Sequence, residues 1–201
     1  TLIFLEHDPV ITRGRSAKDT SLLVPEPRLK ERGVELFSVE RGGDFTFHGP
    51  GQLVGYPVFL LERGLGDIRG FVYSLERSLA EVLGQFGISA VPSQDLEKGS
   101  PVGVWVGRNK IAALGIAVRN KVTYHGFALN VNTDLSYFNL IIPCGLVDRG
   151  VTSMEKQLGQ KIDLQEVKNK LKKIMERNFS INLEERDEKW IKSLENLPGY
   201  S

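Results

Sequence analysis

The chain predicts an α+β fold: a two-layer arrangement of a mixed, mostly antiparallel sheet with helices gathered on one side. Three observations predict it. Short β-rich apolar runs follow one another with tight turns between them. Two segments switch to helical periodicity, and both open on an aspartate. No repeat or low-complexity linker divides the 201 residues, a length suited to one domain.

Taken in order, residues 1–6 (TLIFLE) read as a buried strand. Residues 7–33 read as a loop broken by Pro9, Pro25 and Pro27. Val34 to Val39 alternates and reads as a second strand, and Leu53 to Leu61 is a further β-rich stretch. From Asp67 to Phe86 the period changes. Ile68, Phe71, Val72, Leu75, Leu79, Val82, Leu83 and Phe86 recur at helical spacing, with Asp67 as N-cap. Strands over 102–107, 110–118 and 122–132 form a meander, with turns at Gly107-Arg108-Asn109 and Arg119-Asn120-Lys121. Asp163 opens a second amphipathic helix with Leu164, Val167, Leu171, Ile174 and Met175 on one face and lysines on the other. A short helical tail is expected near Glu184 to Leu194.

Composition narrows the function classes. With 26 Lys and Arg against 25 Asp and Glu, the net charge of +1 implies no large basic field for nucleic acid. No apolar run approaches the ~20 residues that span a bilayer, and the first residues lack the basic flank of a signal peptide. The single cysteine points to a reducing compartment, so the cytoplasm is the expected location. Nothing reads as an exposed apolar dimer face, and a monomer is expected.

That cysteine, Cys144, sits in Ile141-Ile142-Pro143-Cys144-Gly145, a turn context poorly suited to core filler. Lys110, the only charged residue of NKIAALG, borders small residues that leave room for a ligand. A thiol beside a cation becomes a nucleophile, and the amine serves as its acid–base partner. The densest stretch is Arg41 to Gln52, RGGDFTFHGPGQ. Gly42 and Gly43 can expose backbone N–H groups to a ligand, and alternation puts Thr46 and His48 on one side of an extended segment. A glycine-rich hairpin loop with a surface histidine is the plainer alternative. His125 beside Gly126 repeats the His48-Gly49 pairing, and it reads equally as a hydrogen-bonded histidine within the sheet. Three histidines and one cysteine at these spacings form no zinc pattern, so no metal is expected.

These residues resemble the lipoyl(octanoyl) transferases. The likeness lies in five segments in the same order: LEHDPVITRGR at 5–15, RGGDFTFHGPGQLVGYP at 41–57, KIAALGIAV at 110–118, HGFALNVNTDL at 125–135 and PCG at 143–145. The resemblance implies a biotin/lipoate protein ligase catalytic-domain-like fold and a single octanoyltransferase domain over 1–201. It also implies that a strand and helix usual upstream of Thr1 are missing. It implies transfer of octanoyl from octanoyl-acyl-carrier protein to a lipoyl-domain lysine, of a 2-oxoacid dehydrogenase subunit or the glycine-cleavage carrier protein. No cofactor is needed, because a thioester donor is already activated. Cys144 matches the nucleophile and Lys110 the acid–base residue. Arg41, Gly42, Gly43, Asp44, Phe45, Thr46, Phe47 and His48, with Ala113, Leu114, Gly115 and Gly126, Phe127, Ala128, match the segments lining the acyl site. Phe47 stands where tyrosine is common, and Asp44 at a variable position. The competing readings are an ATP-dependent lipoate or biotin protein ligase, a non-catalytic acyl-binding domain and a thioesterase.

Overall fold

A computed structural model of the chain describes residues 1–61, 67–97, 99–142 and 149–186. Its main sheet has seven strands among the described residues: β1 (Leu2–Leu5), β5 (Gln52–Pro57), β9 (Val122–Asn130), β8 (Asn109–Arg119), β7 (Gly103–Val106) and β6 (Val91–Pro92), hydrogen-bonded in that order, with β10 (Gly150–Val151) parallel on β8. The β7–β8–β9 meander appears as the sequence predicts. Its second turn is tight because Asn120 and Lys121 both take positive φ, 50° and 63°, the turn geometry that matches strand twist.

A second sheet was not foreseen. It orders β3 (Glu35–Ser38), β2 (Val10–Arg13) and β4 (Phe45–His48). The segment read as a loop over 7–33 therefore holds a strand, and also a short helix, α1 (Glu26–Glu31). Pro27 does not break α1, because it sits in the first turn, where its missing N–H has no partner to lose. The first strand is half-buried rather than buried: β1 is an edge strand paired only with β5 along the sheet path.

The main core lies between the large sheet and two helices. In α2 (Ile68–Gly84), Phe71, Leu75, Leu79, Val82 and Leu83 are buried against Leu53, Val104, Ile111 and Leu129. The Asp67 side chain caps the helix by accepting from the Gly70 N–H at 2.8 Å. In α4 (Leu164–Phe179), Val167, Leu171, Ile174 and Met175 complete that core, and Asp163 caps by accepting from the Gln165 N–H at 2.8 Å. Phe59, Phe71 and Phe179 meet with ring centroids 5.6–5.9 Å apart, a spacing that favours edge-on aromatic contact. A separate core of Ile11, Leu29, Val34, Phe45, Phe47, Phe138, Leu140 and Ile141 sits behind the small sheet. Helices α2 and α4 do gather on one face, whereas α1 belongs to this second core. A short helix, α3 (Met154–Leu158), also escaped the sequence reading. Of the expected C-terminal tail, residues 184–186 are not helical and 187–194 lie outside the described residues. Among the described residues no helix is long and apolar enough to cross a membrane.

Candidate active site

Between the two sheets lies a cleft of about 940 Å³. The small sheet presents one face to it. Period-two alternation sends Ile11, Phe45 and Phe47 toward the second core, Phe45 also bordering the cleft, and leaves Val10, Thr12, Thr46 and His48 on the cleft side. Thr46 and His48 thus share a side, as the sequence predicts. Phe47 does not line the cleft. It is fully buried, stacked on Tyr137 at 4.6 Å and edge-on to Phe138, so no tyrosine hydroxyl would reach the cleft from this position.

The large sheet forms the opposite wall. Ala113 pairs with Ala128 and Gly115 with Gly126 across β8 and β9, so this part of the wall carries no side chain larger than a methyl. Bulk there is excluded by contact. A Cβ on Gly126 would stand 1.8 Å from the Gly55 carbonyl oxygen, and one on Gly115 3.1 Å from Arg41 Cδ. Leu114 and Phe127 border the cleft while packing in the main core. His125 adopts φ +56° inside β9, a conformation that costs a non-glycine residue ~1 kcal/mol or more and is concentrated at functional sites.

The stretch from Arg41 to Asp44 closes one end. Arg41 is buried. It donates from Nε to Thr12 Oγ1 at 3.0 Å, from Nη2 to Thr12 O at 2.6 Å and from Nη1 to Gly42 O at 3.0 Å. Gly42 and Gly43 line the cleft beside it. The Asp44 carboxylate borders the cleft but organises its own loop, accepting from Ser21 Oγ, Lys18 N and Phe45 N at 2.6, 3.2 and 2.8 Å.

Lys110 is aimed into the cleft by an irregular strand. On β7 and β8, Val104 pairs with Ala112 and Trp105 with Lys110, leaving Ile111 as an extra residue. Such a bulge re-aims the side chains beside it. The Lys110 ammonium is buried. It donates to Val102 O at 3.0 Å and lies 5.0 Å from the Trp105 ring centroid. Cys144 lies outside the described residues. The described chain on either side of it is anchored nearby: Ile142 N donates to Ser21 O at 2.7 Å, and Val151 pairs with Lys110.

A hydrogen-bond chain that sequence reasoning missed fixes the state of His48. Asn130 Nδ2 donates to Thr152 O at 3.0 Å, so Asn130 Oδ1 accepts from Gln52 Nε2 at 2.8 Å. Gln52 Nε2 also donates to Phe47 O at 3.2 Å, which leaves Gln52 Oε1 to accept from His48 Nδ1 at 2.8 Å. His48 therefore carries a proton on Nδ1, and in the neutral ring Nε2 keeps its lone pair. Burial pushes its pKa down to about 4, the Gln52 bond opposing and the positive charge of Arg41 adding to the drop. His7 and Tyr56 join the same wall, His7 Nε2 lying 2.7 Å from the Tyr56 hydroxyl and its ring 5.7 Å from that of His48. The local signal for Gln52 and Asn130 was slight: each is a polar residue at the end of its strand, beside apolar neighbours.

The family model of the lipoyl protein ligase A/B catalytic domain matches residues 1–176. The chain belongs to that family. Among its relatives, the octanoyltransferase of Caldicellulosiruptor saccharolyticus is 48% identical over 180 residues, covering 89% of this chain and 75% of that protein. The octanoyltransferase of Caldanaerobacter subterraneus subsp. tengcongensis is 49% identical over 187 residues, covering 92% and 79%. Solved structures share the fold at lower identity. The bipartite lipoate protein ligase of Thermoplasma acidophilum superposes with a TM-score of 0.70 at 20% identity, covering 92% of this chain and 73% of that one. The biotin protein ligase of Aquifex aeolicus, in complex with biotin and ATP, gives 0.55 at 19%, covering 85% and 70%. The family resemblance and the ligase-like fold expected from the sequence are thereby borne out.

Proposed function

We propose that the chain is a single octanoyltransferase catalytic domain that carries octanoyl from octanoyl-acyl-carrier protein to a lipoyl-domain lysine through a Cys144 thioester. The observation that supports this most is Lys110, a buried ammonium held at the edge of a cleft whose floor is glycine and alanine. The near relatives named octanoyltransferase give the acyl group. Ala113, Gly115, Gly126 and Ala128 would form the bed for its alkyl chain.

In the first half-reaction the Cys144 thiolate attacks the donor carbonyl carbon. The tetrahedral intermediate collapses with loss of the carrier thiolate, which takes a proton from Lys110. In the second, the acceptor amine attacks the acyl-cysteine and neutral Lys110 takes its proton. The C–S bond then breaks, restoring the Cys144 thiolate and the Lys110 ammonium. Backbone N–H groups at Gly42 and Gly43 are candidates to receive the oxyanion. Neutral His48, with its Nε2 lone pair, suits a hydrogen bond from the acceptor amine rather than an ionic one. The acceptors are lipoyl domains of 2-oxoacid dehydrogenase subunits or the glycine-cleavage carrier, met by a monomer in the cytoplasm.

The test is intact-mass spectrometry after incubation with octanoyl-acyl-carrier protein without ATP. A hydroxylamine-labile octanoyl adduct is expected on the wild type, discharged by a lipoyl domain and absent from Cys144→Ala. Turnover that requires ATP and survives Cys144→Ala would replace this reading with the ligase one.

A further inference from the structure

Glu76 plays no part in the chemistry above, yet it is fully buried. It lies on the apolar stripe of α2, one turn after Val72 and just short of Leu79, where a leucine would be the ordinary choice. Its Oε1 accepts from Ser93 Oγ at 2.6 Å and from the Gly103 N–H at 2.7 Å. The Gly103 N–H belongs to the same peptide unit as the Val102 carbonyl, and that carbonyl accepts from Lys110 Nζ at 3.0 Å.

We propose that Glu76 is a positioning residue for Lys110, acting through the Val102–Gly103 peptide. Carboxylate, peptide and ammonium stand in series. The negative end meets the N–H, the positive end meets the C=O, and each strengthens the other. The proposal rests on the reading of Lys110 as acid–base residue.

Gly103 shows why such a clamp is needed. Its φ is +151°, and a Cβ there would stand 2.6 Å from Ala112 O and 3.0 Å from Lys110 Cε. Only glycine lets the lysine stem lie this close. Glycine also leaves the peptide most free to rotate its carbonyl away. Glu76, itself held by Ser93, fixes the peptide from the opposite side. Burial pushes the Glu76 carboxyl up, while the Ser93 hydroxyl and the amides of Gly103, Gln94 and Ser93 pull it back toward the anion.

Other charges face this pair. Tyr73 and Arg77 are on α2, and Asp95 accepts from the Tyr73 hydroxyl at 2.9 Å. Arg177 of α4 pairs with Glu81 further along α2. Arg149 Cζ lies 4.9 Å from the centroid of the Trp105 ring that Lys110 also approaches. None of these groups is altered by Glu76→Gln, which keeps an oxygen for Gly103 and Ser93, removes the charge and turns the buried Oε2 into an NH2 donor.

The test is the setting of Lys110, followed by NMR of protein carrying 13Cε-lysine and assigned with Lys110→Arg, together with transfer kinetics. In Glu76→Gln the Lys110 Cε resonance and the Gly103 amide are expected to move together, because both report on one peptide. In the same variant kcat should fall at least about tenfold with KM for the donor little changed, since small displacements of a reacting group are costly. Ser93→Ala should lower the melting temperature and leave the Lys110 resonance in place. An unmoved Lys110 resonance in Glu76→Gln, or a Gly103 amide that shifts without it, would reduce Glu76 to a fastener of α2. A wild type that forms no acyl-Cys144 would instead sink the acid–base role and leave the lysine resonance to judge the clamp separately.

Discussion

His48 is neutral because it is buried, and the same burial makes the protein sensitive to acid. In the unfolded chain a histidine titrates near 6.5, whereas burial holds His48 at about 4 in the fold. Between those values the unfolded state binds more protons than the native one. Stability is therefore highest above pH 6.5, falls as pH drops through the window and levels off below about 4. The loss attributable to His48 is at most about 3 kcal/mol. His7 and His125, both also lowered by burial, act in the same direction. Thermal melts from pH 7 to pH 4 should show this decline, and His48→Asn should flatten part of it. An NMR midpoint for His48 near 6.5 would refute the burial. The wall of the cleft tolerates as little change. A methyl at Gly126 would overlap the Gly55 carbonyl and approach Pro57 Cδ to 2.8 Å. Backbone must move, so Gly126→Ala is expected to cost about 3 kcal/mol and to disturb the wall of the cleft as well. Calorimetry reads the first effect, and KM for the octanoyl donor reads the second.

At the scale of the element, what was legible in the sequence is what carries long periodicity. α2 and α4 each run over four turns with a capping aspartate, and the β7–β8–β9 meander repeats its turn chemistry. β2 and α1 were missed because they are short: a strand of four residues and a helix of six give a period too little length to declare itself, and three prolines masked them. The second sheet follows from β2, so missing one hid the other. Of the candidate site, Arg41 to His48 and Lys110 stood out in the sequence, where unusual residue types stand in glycine-rich context. The supports of the site did not. Gln52, Asn130 and Glu76 act by hydrogen bonds to residues 78, 22 and 27 positions away, distances no local pattern spans. Phe47 belongs to the same motif yet points into the second core, because a motif marks positions and not the direction of their side chains. The cap of α2 offers a test at this scale. Ile68 and Val72, in its first turns, line the cleft. Asp67→Ala removes the bond to the Gly70 N–H and should cost about 1 kcal/mol, or about 2–4 °C in melting temperature. Fraying at that end should raise KM for the donor with kcat little changed.

The whole molecule depends on two sheets keeping their distance across a cleft, and Arg41 is where they are fastened. Its guanidinium makes two bonds to Thr12 of β2, while its stem lies against Gly115 of β8. The fit on either side is tight: a Cβ on Gly14 would stand 2.3 Å from Gly43 O and 2.8 Å from Arg41 Nη1. Arg41→Ala takes these donors from the junction and leaves a void between the walls. Hydrogen bonds from a charged donor contribute about 1.5–3 kcal/mol each when removed singly, but these share one fork and do not add. A loss of about 3 kcal/mol is expected, read as a drop of roughly 6–12 °C in melting temperature. Arg41→Lys keeps the charge without the planar fork and should recover only part of it. The effect on chemistry separates a fastener from a bystander. If the cleft needs both sheets in register, acyl-enzyme formation well below the melting point should fall at least about tenfold, because small displacements of reacting groups are costly. Arg41 also helps to hold His48 and His125 below their ordinary range, so both midpoints should rise in Arg41→Ala and by less in Arg41→Lys. Lower stability with unchanged acylation and unchanged histidine midpoints would mean that the small sheet can drift without consequence for the site. Lower stability together with slower acylation and higher midpoints would make the distance between the sheets part of the catalytic geometry.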